Sequence, residues 1–239
     1  MSAPERCTRR TFLRGTLLLI CAAPTFGAVG CGNAPAPNEY GTWSIPNGTV
    51  LDARRYALLA ALADALMPGD DTSPGADLAR AAWYIDQLLG AFRTDPPRIF
   101  AGGPYSGRHG GNAGFEQFQR LTRVEEIRWR TYIEGSQGIP EREWNGPVKG
   151  LIDIYRDGLD AIDRVAQDSF GASYFSLDRA SRQSVLAEAD EEFIAVAFGH
   201  VVEGTWGDPV YGGNFQGLGW QAIDYEGDRQ PIGFTARQM

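Results

Sequence analysis

Apolar positions recur at helical spacing along most of the chain after about residue 49. Leu51, Leu58, Leu59, Leu62 and Leu66 fall on one stripe, with Thr49 or Asp52 placed to cap the helix and Met67-Pro68-Gly69 to stop it. Pro74-Gly75 then opens a second helix carrying Leu78, Ala82, Ile85 and Leu89. Residues 90–114 form a long Gly- and Pro-rich loop, of a length usually tied to function or mobility. A third helix runs over about 115–133, burying Phe118, Leu121, Ile127 and Trp129; Thr122 and Glu125 have capping-box spacing, so it breaks or restarts there. The fourth pattern is the clearest, with Val148, Leu151, Ile152, Tyr155, Leu159, Ile162 and Val165 on one face and Pro147 in the first turn. Ser176 caps a short fifth helix through Ala189. Phe193, Ile194, Ala197, Phe198 and Val201 mark a sixth, ending at Gly204. From Thr205 the helical period stops, and Gly, Trp and Tyr dominate. Alternating strand runs are absent. The pattern predicts a mainly α protein: a single helical domain of about six helices with an irregular, Gly- and aromatic-rich C-terminal arm.

The first 30 residues read as an address. Arg6, Arg9, Arg10 and Arg14 precede an uncharged stretch over 15–30 that is too short for a permanent membrane span. Thr8-Arg9-Arg10-Thr11-Phe12-Leu13-Arg14 resembles the twin-arginine (Tat) export motif, through Arg9, Arg10, Phe12 and Leu13. Ala28-Val29-Gly30-Cys31 resembles a lipobox, in which Cys31 becomes the lipidated first residue; cleavage nearby by ordinary signal peptidase is the alternative. A diacylated Cys31 would hold the protein on a membrane surface. Residues 31–48, rich in Pro, Asn and Gly, read as a tether to a domain over 49–239. The expected location is the periplasm or the outer face of the cytoplasmic membrane, reached through the Tat translocase, which carries folded and often cofactor-loaded cargo.

Composition then narrows the chemistry. The 239 residues are 43% hydrophobic and 22% charged, with net charge −8. Without residues 1–30, 18 basic and 29 acidic residues remain, a balance that repels phosphate backbones and argues against nucleic-acid binding. The only cysteines are Cys7, Cys21 and Cys31, so the body can form no internal disulfide, Cys-ligated cluster or c-type haem attachment. Of the two histidines, His200 lies in an apolar helix and is expected buried and hydrogen-bonded, while His109 lies in the Gly-rich loop and is expected to face solvent. No G-x-S-x-G elbow occurs. Gly102 and Gly107 have phosphate-loop spacing, yet Arg108 and His109 stand where Lys and Ser/Thr are required. Residues 212–217 lack the strand–turn–helix setting of a dinucleotide fingerprint. Asp70-Asp71 and Glu191-Glu192 read as caps or solvated faces. No catalytic, cofactor or metal residue emerges. An export route suited to cofactor proteins, in a chain with no cofactor site of its own, points to a partner that carries the cofactor.

Two stretches carry a family resemblance. Residues 57–90, ALLAALADALMPGDDTSPGADLARAAWYIDQLLG, and 204–227, GTWGDPVYGGNFQGLGWQAIDYEG, resemble the gluconate 2-dehydrogenase subunit 3 family. Asp208, Pro209, Tyr211, Gly212, Gly213, Asn214, Gly219 and Trp220 match its C-terminal signature, while Asp224 and Glu226 depart from its usual close. The resemblance implies a small non-catalytic subunit. It would accompany a large FAD-dependent dehydrogenase of the glucose–methanol–choline (GMC) type that oxidises a sugar or alcohol hydroxyl, often with a cytochrome c subunit. The small subunit supplies the export signal, helps the flavoprotein mature and stabilises it. On this reading the C-terminal arm docks the partner through Trp206, Asp208, Pro209, Tyr211, Gly212, Gly213, Asn214 and Trp220, with Phe215 as a further aromatic anchor. These rings could instead cap the chain's own core, and both uses are compatible. A different class of function is a stand-alone periplasmic enzyme or ligand-binding lipoprotein, its pocket lined by the 90–114 loop.

Overall fold

Asp52 starts the first helix: its backbone is extended, and its carboxylate accepts the Arg55 N–H at 2.9 Å, which is how an N-cap satisfies a free amide. A computed structural model describes residues 50–101 and 118–225, all within one unit of the chain, Ile45–Met239. In chain order the helices are α1 (Ala53–Leu66), α2 (Gly75–Leu78), α3 (Ala81–Leu89), α4 (Arg123–Glu134), α5 (Leu151–Phe170), α6 (Arg179–Glu188), α7 (Glu191–Trp206) and α8 (Leu218–Ala222). No strand occurs among the described residues; a single antiparallel bridge pairs Ala101 with Phe118. The protein is therefore all-α, as the hydrophobic period predicts.

The core lies between α1, α3, α5 and α7. Leu58, Leu59 and Leu62 meet Ile85, Leu151, Leu159, Ile162 and Val201, all at 2% exposure or less. Each such side chain removed from water contributes about 2 kcal/mol. Small residues set the closest approaches. A Cβ on Gly158 would lie 2.5 Å from the Phe193 ring, so α5 keeps a mid-helix glycine to seat that ring beside Tyr155. A Cβ on Gly204 would lie 2.9 Å from the Ala81 Cα, so glycine and alanine bring α7 against α3. A smaller cluster of Ala91, Ile99 and Ile133 ties the segment after α3 to α4.

Several boundaries differ from the periodic reading. The second predicted helix is two, because Arg80 adopts a left-handed backbone (φ 59°) between α2 and α3. Leu78, expected on the buried stripe, is 45% exposed in consequence. The third begins at Arg123, with Thr122 and Glu125 forming a full capping box, and Ile133 alone in α4 is fully buried. The fourth begins after Gly150, leaving Pro147 and an exposed Val148 in the preceding loop. Asp178, not Ser176, caps α6, because its carboxylate reaches the Ser181 N–H while Ser176 sits in a 3-10 turn. α7 runs past Gly204 to Trp206. The arm is not wholly irregular: turns at Pro209–Tyr211 and Phe215–Gly217 lead into α8. Among the described residues eight helices thus stand where about six are predicted, one from the split and one from the arm.

Candidate partner-docking site

The C-terminal arm begins where α7 runs out of hydrogen-bond donors. A helix leaves its last carbonyls without intrahelical partners, and here the returning chain supplies them. Asp208 accepts the Val210 N–H at 2.9 Å and starts the Pro209–Tyr211 turn. Gly212 (φ 103°) reverses the chain in a conformation that side chains oppose. Gly213 then passes against α7, where a Cβ would stand 2.2 Å from the Gly204 oxygen. That approach lets the Asn214 N–H reach the same oxygen at 2.6 Å. The Asn214 side chain is fully buried and acts as a crossbar. It donates to the Gly207 carbonyl at 2.8 Å and accepts the Gly219 N–H at 2.7 Å. The Trp220 indole N–H closes the ring on the Trp206 carbonyl at 2.8 Å.

The arm also seats on the break between α2 and α3. The Phe215 N–H donates to the Ala79 carbonyl at 3.1 Å, and the Arg80 guanidinium lies 3.2 Å from the Phe215 ring centre, within cation–π range. A continuous helix would pair that carbonyl internally, so the split frees it for the arm. The periodic pattern carries no sign of the break. Tyr211 reaches the other way: its hydroxyl accepts the Ala101 N–H at 3.2 Å and its ring meets Phe118 edge-on.

The predicted docking residues therefore divide. Gly213 and Asn214 are taken up inside the chain. Trp206, Asp208, Pro209, Tyr211, Gly212 and Trp220 are half-buried, fixed from below with part of each surface facing out. Arg9, Arg10, Phe12, Leu13 and Cys31 lie outside the described residues, as do the tether, His109 and the Gly102–Gly107 spacing.

His200 is buried, as expected, with Tyr155 hydroxyl 2.9 Å from Nδ1 and Tyr132 hydroxyl 3.1 Å from Nε2. Burial holds its imidazole below the usual histidine range, against the pull of Glu203. The Tyr84 hydroxyl donates to Glu203 at 2.8 Å; burial first and that carboxylate second push the Tyr84 phenol up. Asp70 accepts the Thr72 and Ser73 amides in a turn, and Glu191 and Glu192 occupy the first turn of α7. Among the described residues no group of three or more His, Cys, Asp or Glu is arranged to hold a metal, and no helix is long and apolar enough to cross a membrane. Beside the start of the predicted loop, Leu89, Gly90, Phe92 and Arg93 help line a cavity of about 210 Å³, below the usual range for organic ligands.

No curated protein and no solved structure matches the chain. A family model does, over residues 53–227, which takes in the whole of the helical core and the arm. The chain belongs to the gluconate 2-dehydrogenase subunit 3 family, named for a subunit of a multisubunit dehydrogenase.

Proposed function

We propose that the chain is a non-catalytic accessory subunit that escorts a large FAD-dependent GMC-type dehydrogenase through the Tat translocase, aids its maturation and stabilises it afterwards. The flavin belongs to that partner, which oxidises a sugar or alcohol hydroxyl, and a cytochrome c subunit can take the electrons. Residues 1–30 provide the export signal, and lipidation of Cys31 would keep the complex on the outer face of the membrane. The arm supports this reading. It is held rigidly by Gly213, Asn214 and Gly219, yet keeps Trp206, Tyr211 and Trp220 half-exposed. Pre-organised aromatic side chains lose little freedom on docking, and such residues dominate interface energetics.

The test is co-purification of the exported complex, with the visible spectrum recording flavin and haem. The wild-type chain should bring down a flavoprotein. Tyr211→Ala with Trp220→Ala should weaken that retention at least tenfold while far-UV circular dichroism keeps its helical signal. Loss of helix together with binding would assign the two rings to the fold alone. Flavin bound tightly to the isolated chain, or turnover by it, would refute the accessory role.

A further inference from the structure

The loop over 135–150 is built as tightly as the arm, although none of its side chains belongs to the two hydrophobic clusters. The Ser136 N–H donates to the Val148 carbonyl at 3.0 Å and the Val148 N–H returns to the Ser136 hydroxyl at 2.9 Å, closing the loop at its base. Arg142 is pinned by the Glu134 carboxylate at 3.0 Å and the Gly135 carbonyl at 3.3 Å. The Gly138 N–H donates to Glu143 Oε1 at 3.0 Å, and the Gly146 N–H to the Glu143 carbonyl at 2.9 Å. Trp144 and Asn145 are thus the middle residues of a closed turn. Trp144 is 90% exposed, the most exposed large apolar side chain among the described residues. Val148, 43% exposed, lies on the same loop.

A rigid turn that holds an indole in water gains nothing for the fold, and aromatic residues presented this way are typical interface anchors. Charge selects the occupant. Glu141 and Glu143 lie three residues and one residue before Trp144, the loop's two cations are engaged by Glu134 and Asp157, and the chain carries net charge −8. Anionic lipid headgroups and a second copy of this chain are both repelled by such a surface. We infer that Trp144 is a second docking anchor, inserting into an apolar slot rimmed by Arg or Lys on the flavoprotein partner. This rests on the accessory-subunit reading above and places a contact of that partnership away from the signature residues.

The experiment uses the full chain and the flavoprotein that co-purifies with it, re-associated at measured concentrations. Trp144→Ala should raise the dissociation constant roughly tenfold or more, Trp144→Phe should recover part of the loss, and Glu141→Lys should weaken binding most at low salt. All three should melt at the wild-type temperature. Unchanged affinity of Trp144→Ala, with wild type bound, overturns the anchor and leaves the accessory role standing. Failure of the wild-type chain to bind any flavoprotein overturns both. Trp144-dependent binding to phosphatidylglycerol vesicles, or Trp144-dependent dimerisation, overturns the assignment to a protein partner.

Discussion

Among the described residues two irregular segments bear glycine and tryptophan, and they differ in how far they leave their indoles exposed. The arm over 207–225 buries its crossbar and ties the Trp220 N–H to the Trp206 carbonyl. The loop over 135–150 leaves Trp144 in water. Their roots are equally tight: a Cβ on Gly219 would lie 2.2 Å from the Thr205 oxygen, and one on Gly150 would lie 2.3 Å from the Gly135 nitrogen. What differs is the demand for donors. α7 ends with open carbonyls at Gly204, Trp206 and Gly207, and the arm must fill them from Asn214 and Trp220. The loop closes its own backbone through Ser136 and Val148, so its indole has no internal task. A Gly/Trp composition thus says that a segment is sharply bent. Whether the ring serves the fold or a partner depends on which backbone groups the bend passes.

The hardest strike at this contrast is a methyl group in the arm's closest contact. Gly213→Ala or Gly219→Ala puts a Cβ 2.2 Å from a backbone oxygen that no rotamer can move aside. Each should cost about 3 kcal/mol, lowering the melting temperature by roughly 8 °C in a chain of this size. Wild-type melting of both variants would mean that the arm is not seated on α7. Asn214→Ala follows at about 2 kcal/mol, since it strands the buried Gly219 amide and leaves the part-buried Gly207 carbonyl without its donor. Hydrogen exchange should quicken at the Gly219 amide first and leave the 135–150 loop untouched.

How far the sequence foretells these regions follows from the same physics. The stripes of α1, α5 and α7 are legible because Leu58, Leu62, Tyr155, Leu159 and Val201 must all face one interior. Caps are legible where a carboxylate or hydroxyl has one amide to serve, as Asp52 and Thr122 do. The α2–α3 break is not, because the arm stabilises the left-handed Arg80 from 135 residues away through Phe215. The signature residues are legible as a group, but their division into buried Gly213 and Asn214 and half-exposed Trp206, Tyr211 and Trp220 needs the path of the backbone. Trp144 gives no periodic signal at all; only its acidic, glycine- and proline-flanked setting in 138–147 marks it.

A milder perturbation acts on the joint between the two segments. His200, on the helix that leads into the arm, meets Tyr132, on the helix that leads into the loop, and Tyr155 of α5. The ionisable groups around it are Tyr132, Tyr155, Tyr84 and Glu203. Its folded value lies below the free value of 6.5 because burial disfavours the imidazolium. The unfolded chain therefore binds more protons between those two values, and stability falls as pH drops from 6.5 toward the folded value. Above 6.5 this contribution is flat. Melting curves from pH 8 to 5 should show wild type losing stability relative to His200→Gln across that window. A constant difference would mean that the imidazole binds its proton equally well in the folded and the unfolded chain.

The smallest expected effect sharpens the contrast most. Trp144→Ala removes the most exposed large apolar side chain from a turn whose hydrogen bonds all come from other residues. Its stability should change by less than about 0.5 kcal/mol, as for any substitution outside the named structural mechanisms. Trp220→Ala, by comparison, deletes the donor to the Trp206 carbonyl and the edge-on partner of Tyr225, and should cost about 2 kcal/mol. Paired denaturant titrations of the two single variants decide the matter. Equal losses would mean that the 135–150 loop also spends its tryptophan on the fold, as the arm does with Trp220. A loss confined to Trp220→Ala leaves Trp144 as a side chain whose retention the folded monomer does not explain.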